Sequence, residues 1–136
     1  MLAEAAGEVE SGVNFLGSFR TESGRIDLKK AGLFGIVTTA RVLAIRHHLL
    51  ERSTPARLSA AAGLRRGGGP DLDALARVHG ELLGLILEQQ LADMRDGLPP
   101  NNKVVIKRLS REQRARLRES LRAVRHLDTL TQDLLF

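Results

Sequence analysis

The sequence predicts an all-α protein, a four-helix-bundle-like domain preceded by a short N-terminal hairpin or extended segment. Three observations carry that prediction. Four stretches repeat apolar residues at the three-and-four spacing of an amphipathic helix. The breaks between them, "STP", "GLRRGGGPD" and "DGLPPNNKVV", gather the residues that end regular structure. The period-two alternation in "VNFLGSFRTESGRIDLKK" lies ahead of the first helix. A chain of 136 residues with 43% apolar content suits one domain with one core. Residues 1–12 read as a flexible or linker remnant, and 13–136 as the helical domain.

Within the alternating segment Ser23-Gly24 marks a tight turn, so a small hairpin is expected there. The first helix runs from about Leu33 to Glu51. It is apolar almost all round, with Leu33, Ile36, Ala40 and Leu43 on one side and Phe34, Val42, Ile45 and Leu49 on another, the mark of a buried central helix. A short second helix spans about Pro55 to Ala62, with Thr54 as N-cap and Pro55 at the first helical position. The third starts near Leu72, with Asp71 as N-cap, and reaches about Asp96. Its core stripe reads Leu72, Leu75, Ala76, His79, Leu83, Ile86, Leu87, Gln90 and Met94. Ser110 and Gln113 form a capping box, so the fourth begins at Arg111 and continues towards Leu134, with Leu117, Leu121, Val124 and Thr131 facing inwards.

Composition excludes several functions. Without Cys there is neither disulfide nor thiolate chemistry, which fits a cytoplasmic location. The acidic "MLAEAAGEVE" lacks the apolar core of a signal peptide, and no run approaches the ~20 apolar residues of a membrane span, so no membrane partner is expected. Four Phe and no Trp or Tyr argue against a nucleic-acid partner that stacks bases. The four His show no His-x-x-x-His or Glu-x-x-His spacing, so no metal site is expected. His79 and Gln90, placed within an apolar stripe, read either as hydrogen-bonded core groups or as ligand contacts.

The charge is localised. Nine Lys and Arg face two Glu between Lys103 and His126, and the rest of the chain is slightly acidic. On the fourth helix Arg111, Arg114, Arg118, Arg122 and Arg125 fall within an arc of roughly 80°. Like charges so spaced need counter-charges. Glu81 and Glu88 of the third helix could supply them, as could an anionic partner; Arg114, Arg118 and Arg122 are thus candidates for an interface or an anion site. Arg41, inside the apolar first helix, raises a similar question. Its stem must be covered, and its guanidinium suits either an ion pair with Asp27 or a phosphate at the mouth of a cleft.

The phrases "FLGSFRTESGRIDLKKAGLFGIVTTARVLAIRH", "STPARL", "LLGLILEQQL", "GLPPNNKV" and "LSREQRARLRESLRAVRHL" resemble the nucleotidyltransferase substrate-binding domain family over about Val13 to Leu135. The resemblance implies a helical domain packed against a catalytic domain at the C-terminal end of bacterial signalling proteins. Such proteins carry cyclic-nucleotide-binding and CBS modules and a nucleotidyltransferase domain like the protein-PII uridylyltransferase. Asp27, Leu28 and Lys29 match the family's "DLK" and Arg41 its "AR", which makes Asp27, Lys29 and Arg41 the implied substrate-binding residues. Gly35 stands where the family has Pro, which alters the start of the helix.

The catalytic signature of such enzymes, Gly-Ser followed by an Asp-x-Asp pair on Mg²⁺, is missing. Gly17-Ser18 has no such pair after it, and Asp71-Leu72-Asp73 has no Gly-Ser before it. The chain is therefore expected to be a fragment that is not catalytic by itself, with Met1 an internal methionine or an introduced start. It needs no cofactor of its own, while the parent would use Mg²⁺ and a nucleoside triphosphate. The expected role is positioning the acceptor, a protein or small molecule, for a nucleotidyltransferase domain of the same polypeptide. The alternatives are a basic helical module that binds nucleic acid and a bundle that forms a homodimer.

Overall fold

A computed structural model describes residues 18–64, 69–127 and 129–130, and for these the all-α expectation holds. The elements are strand β1 (Arg25–Asp27), a π-helical turn (Lys29–Leu33) that runs directly into α1 (Phe34–Arg46), α2 (Thr54–Ala62), α3 (Gly69–Arg95), strand β2 (Lys103–Val105), a short 3₁₀ turn (Ile106–Arg108) and α4 (Arg111–Arg125). The linker expected over residues 1–12, and Thr131 in the stripe of α4, lie outside the described residues.

The turn at Ser23-Gly24 is where the sequence places it. Both residues have positive φ, 52° and 74°, and Glu22 and Arg25 exchange backbone hydrogen bonds of 2.9 and 3.0 Å across it. Glycine adopts that conformation without strain. The pairing partner differs from the expected local hairpin, however. Beyond that single bridge, β1 pairs antiparallel with β2, setting Arg25 opposite Val105, Ile26 opposite Val104 and Asp27 opposite Lys103. Ile26 and Val104 are buried, and their burial decides the pairing.

The helix boundaries shift for local reasons. The first helical run starts at Lys29 rather than Leu33, because Asp27 Oδ1 accepts the backbone N–H groups of Lys29 and Lys30, both at 3.1 Å. Gly35 therefore falls inside the run rather than at its start. α1 ends at Arg46, five residues before Glu51: His48 turns left-handed at φ 54°, and Leu49 N–H reaches Ala44 C=O at 2.9 Å. This is the hydrogen-bond pattern of a Schellman stop, with His in the place usually held by Gly. The cap of α2 is Ser53, whose Oγ accepts Ala56 N–H at 3.3 Å, so Thr54 is already helical. α3 starts at Gly69 instead of Leu72 and leaves Asp71 in its first turn. The capping box of α4 forms as read: Ser110 Oγ accepts Gln113 N–H at 3.1 Å, and Gln113 Oε1 accepts Ser110 N–H at 2.9 Å.

The core gathers Leu28, Ile36, Leu58, Leu82, Leu117 and Leu121 from the four helices and one connection. Gly32 brings the π-helical turn against α3, since a Cβ at that position would lie 2.5 Å from Leu82 Cδ1. α2 packs against both α1 and α3. The buried side of α3 is Leu72, Leu75, Val78, Leu82, Ile86, Gln89 and Asp93, so the stripe is rotated from the expected one, and Leu83, Leu87 and Met94 are exposed.

Candidate functional site

Below the turn at Lys29, α1 and α3 leave a groove of about 580 Å³ between them. Its floor is apolar: Leu33, Phe34 and Val37 from one side, Leu83, Ile86 and Leu87 from the other. Its polar lining residues are Lys29, His79, Gln90 and Asn102, with His79 about three turns of α3 away from Gln90. The β1–β2 clasp fixes one end, because Leu28 N–H donates to Asn102 C=O at 3.1 Å and Gln90 Nε2 donates to Asn101 C=O at 3.3 Å. His79 is half-buried, and burial lowers its pKa from the usual value near 6.5, so at neutral pH it offers one donor and one acceptor.

Of the implied substrate-binding residues, Lys29 lines the groove. Asp27 does not; it holds the backbone from which Lys29 projects. Arg41 is exposed, not covered, and among the described residues it makes neither the ion pair with Asp27 nor any other. It lies seven residues beyond Phe34, about 20° away on the helix wheel and about 10 Å further along, on the side of α1 that leads out of the groove. The buried charge pair is a different one: Arg25 Nη1 stands 3.6 Å from Asp93 Oδ2, whose side chain is 1% exposed. Gln89 completes the arrangement, donating to Asp93 Oδ1 at 3.0 Å and accepting Val105 N–H at 3.0 Å.

The arginine stripe is not part of the groove. Arg118 places its guanidinium 4.9 Å from the centre of the Phe19 ring, Arg114 is half-buried and Arg122 is exposed. The acidic residues expected to face them are engaged elsewhere: Glu81 Oε2 accepts Ser120 Oγ–H at 2.7 Å, and Glu88 Oε2 accepts Gln113 Nε2–H at 3.4 Å. His79 and Gln90 were readable as ligand contacts, whereas Asn102 was legible only as part of a chain break in "PPNNKV". Among the described residues no group of three or more His, Asp or Glu could hold a metal ion. Asp71 and Asp73, about 200° apart around α3, do not converge. The described residues therefore offer no cluster for the Mg²⁺ implied for the parent.

Fold and groove together define an all-α domain with an open, largely apolar binding groove. The chain belongs to the family described as "Putative nucleotidyltransferase substrate binding domain", whose model matches residues 1–134. No curated protein and no solved structure matches it. Among the described residues no helix is long and apolar enough to cross a membrane.

Proposed function

We propose that this chain is the substrate-positioning domain of a nucleotidyltransferase, holding the acceptor in the α1–α3 groove beside a catalytic domain that supplies the metal carboxylates and the nucleotide. The observation that carries this reading is Lys29, a residue of the family's "DLK" phrase, at the edge of an apolar groove. Positioning a reactant in this way contributes to rate by fixing its orientation. Arg41, exposed and without an ion pair among the described residues, is the second cation that a phosphate extending from the groove would meet.

The same helix offers a surface to the catalytic domain. Leu91 and Met94, outside the groove lining, are 46% and 61% exposed on α3. Gly80 and Gly84 of the same helix have open space where a side chain would stand. An exposed apolar patch marks an interaction surface. The parent we infer is a cytoplasmic signalling protein of the uridylyltransferase-like type, with cyclic-nucleotide-binding or CBS modules as its sensors.

The test is a calorimetric titration of this chain with the nucleotidyltransferase domain encoded alongside it, with and without Mg-nucleotide. Saturable binding that Leu91→Glu weakens is the expected result. Absence of binding under both conditions overturns the reading, and a steeply salt-dependent affinity for DNA or RNA would favour the basic-module alternative instead.

A further inference from the structure

Four polar groups end at the groove without a partner among the described residues: the Lys29 ammonium, the His79 imidazole, the Asn102 carboxamide and Oε1 of Gln90. Three of them are neutral, and the fourth is the only charged group on the lining, where no Asp or Glu appears. An apolar floor with a few convergent polar groups, in a volume within the ~300–1,000 Å³ range of small-molecule sites, describes a ligand site rather than incidental roughness. Lys29 is exposed at the edge of that floor and makes no ion pair among the described residues, so an anionic group seated in the groove can pair with it.

We infer that the groove selects an organic anion: an apolar body lying over Phe34, Leu83 and Leu87, with one carboxylate or phosphate group at Lys29. This names the chemical class of the acceptor and rests on the reading of the groove as the acceptor site. The carboxamides of Gln90 and Asn102 flank the anionic end and provide hydrogen bonds to polar substituents next to it. His79, at the other side of the lining, is left to recognise a hydroxyl or amide on the apolar body. A cationic ligand is disfavoured by Lys29, and a fully polar one would lose its own hydration against the apolar floor without hydrogen bonds in return.

Two fluorescent probes of similar shape isolate the charge. Anilinonaphthalene sulfonate carries an apolar body and one anionic group; phenylnaphthylamine has the same body without the anion. The chain is expected to bind the sulfonate saturably at one site, about tenfold more tightly than the amine, the usual scale of one charge-assisted hydrogen bond. Lys29→Met should remove that preference while leaving amine binding intact, and Leu87→Glu should weaken both. Both positions are exposed, so the variants keep the fold, which melting by circular dichroism verifies. Displacement of the sulfonate by naphthoate or by naphthyl phosphate supports the proposal and distinguishes a carboxylate from a phosphate.

Equal affinity for the two probes, or loss of sulfonate binding on Arg122→Ala but not on Lys29→Met, overturns it. Those failures are separate from failure of the functional reading, which is judged on Leu91→Glu and the catalytic domain alone.

Discussion

Arg41, read as covered by its apolar neighbours, is exposed, and the buried charge is Asp93 instead. Period alone does not reveal this, because Asp93 is stabilised by Arg25, a residue 68 positions earlier, together with the neighbouring Gln89. Arg41→Ala should leave stability within about 0.5 kcal/mol of the parent by urea unfolding, as surface substitutions do. Any weakening of ligand or catalytic-domain binding in that variant then reports on a contact rather than on the fold. Asp93→Ala should cost about 1–3 kcal/mol, because Gln89 Nε2 loses its buried acceptor and the partly exposed Arg25 keeps only Lys103 C=O. His79 gives a pH signature. Its pKa is lowered in the folded state, so the unfolded chain binds more protons just below pH 6.5 and stability falls as the pH drops through that window. In His79→Gln that part of the decline should vanish, as thermal melts across pH 5–7.5 would show. At the site itself, Lys29 was legible through its phrase, whereas the removal of Asp27 to a capping role depends on backbone geometry that no spacing expresses.

Helix α3 shows where a pattern of apolar residues misleads. The expected stripe divides between two rows: Leu72, Leu75 and Ile86 are buried, whereas Leu83, Leu87 and Met94 are exposed. The buried row ends in Gln89 and Asp93, which a search for apolar periodicity rejects, although their hydrogen bonds make burial affordable. The capping box of α4, the turn at Ser23-Gly24 and the existence of all four helices were legible because each depends on residues only a few positions apart. Truncation distinguishes the two rows of α3. Leu82→Ala should destabilise by about 2–5 kcal/mol, the range for buried leucines. Leu83→Ala should change stability by less than about 0.5 kcal/mol, both read from urea midpoints. Gly32 tests the contact between the π-helical turn and the same helix: Gly32→Val should cost about 1–3 kcal/mol by forcing Leu82 from its position.

For the molecule as a whole, the all-α class and the single core follow from length and periodicity, but the tie between its two ends does not. β1 finds its partner 78 residues later in the chain, and only the paired burial of Ile26 and Val104 announces it. Closure of the groove depends on that tie, since Asn101 and Asn102 meet Gln90 and Leu28 there. The tie also sets an order of events during synthesis. At about 5–20 residues per second, a ribosome needs about 4–16 s after making Arg25 to deliver Lys103. Over that interval Leu28, Leu82 and their neighbours lack the cover of α4, so the growing chain is a client for chaperones rather than a partly finished domain. Nascent chains halted before Lys103 should be digested by added protease, and chains halted with residue 130 clear of the ribosome should resist it. The groove, whose lining extends to Asn102, is thus complete only late in synthesis.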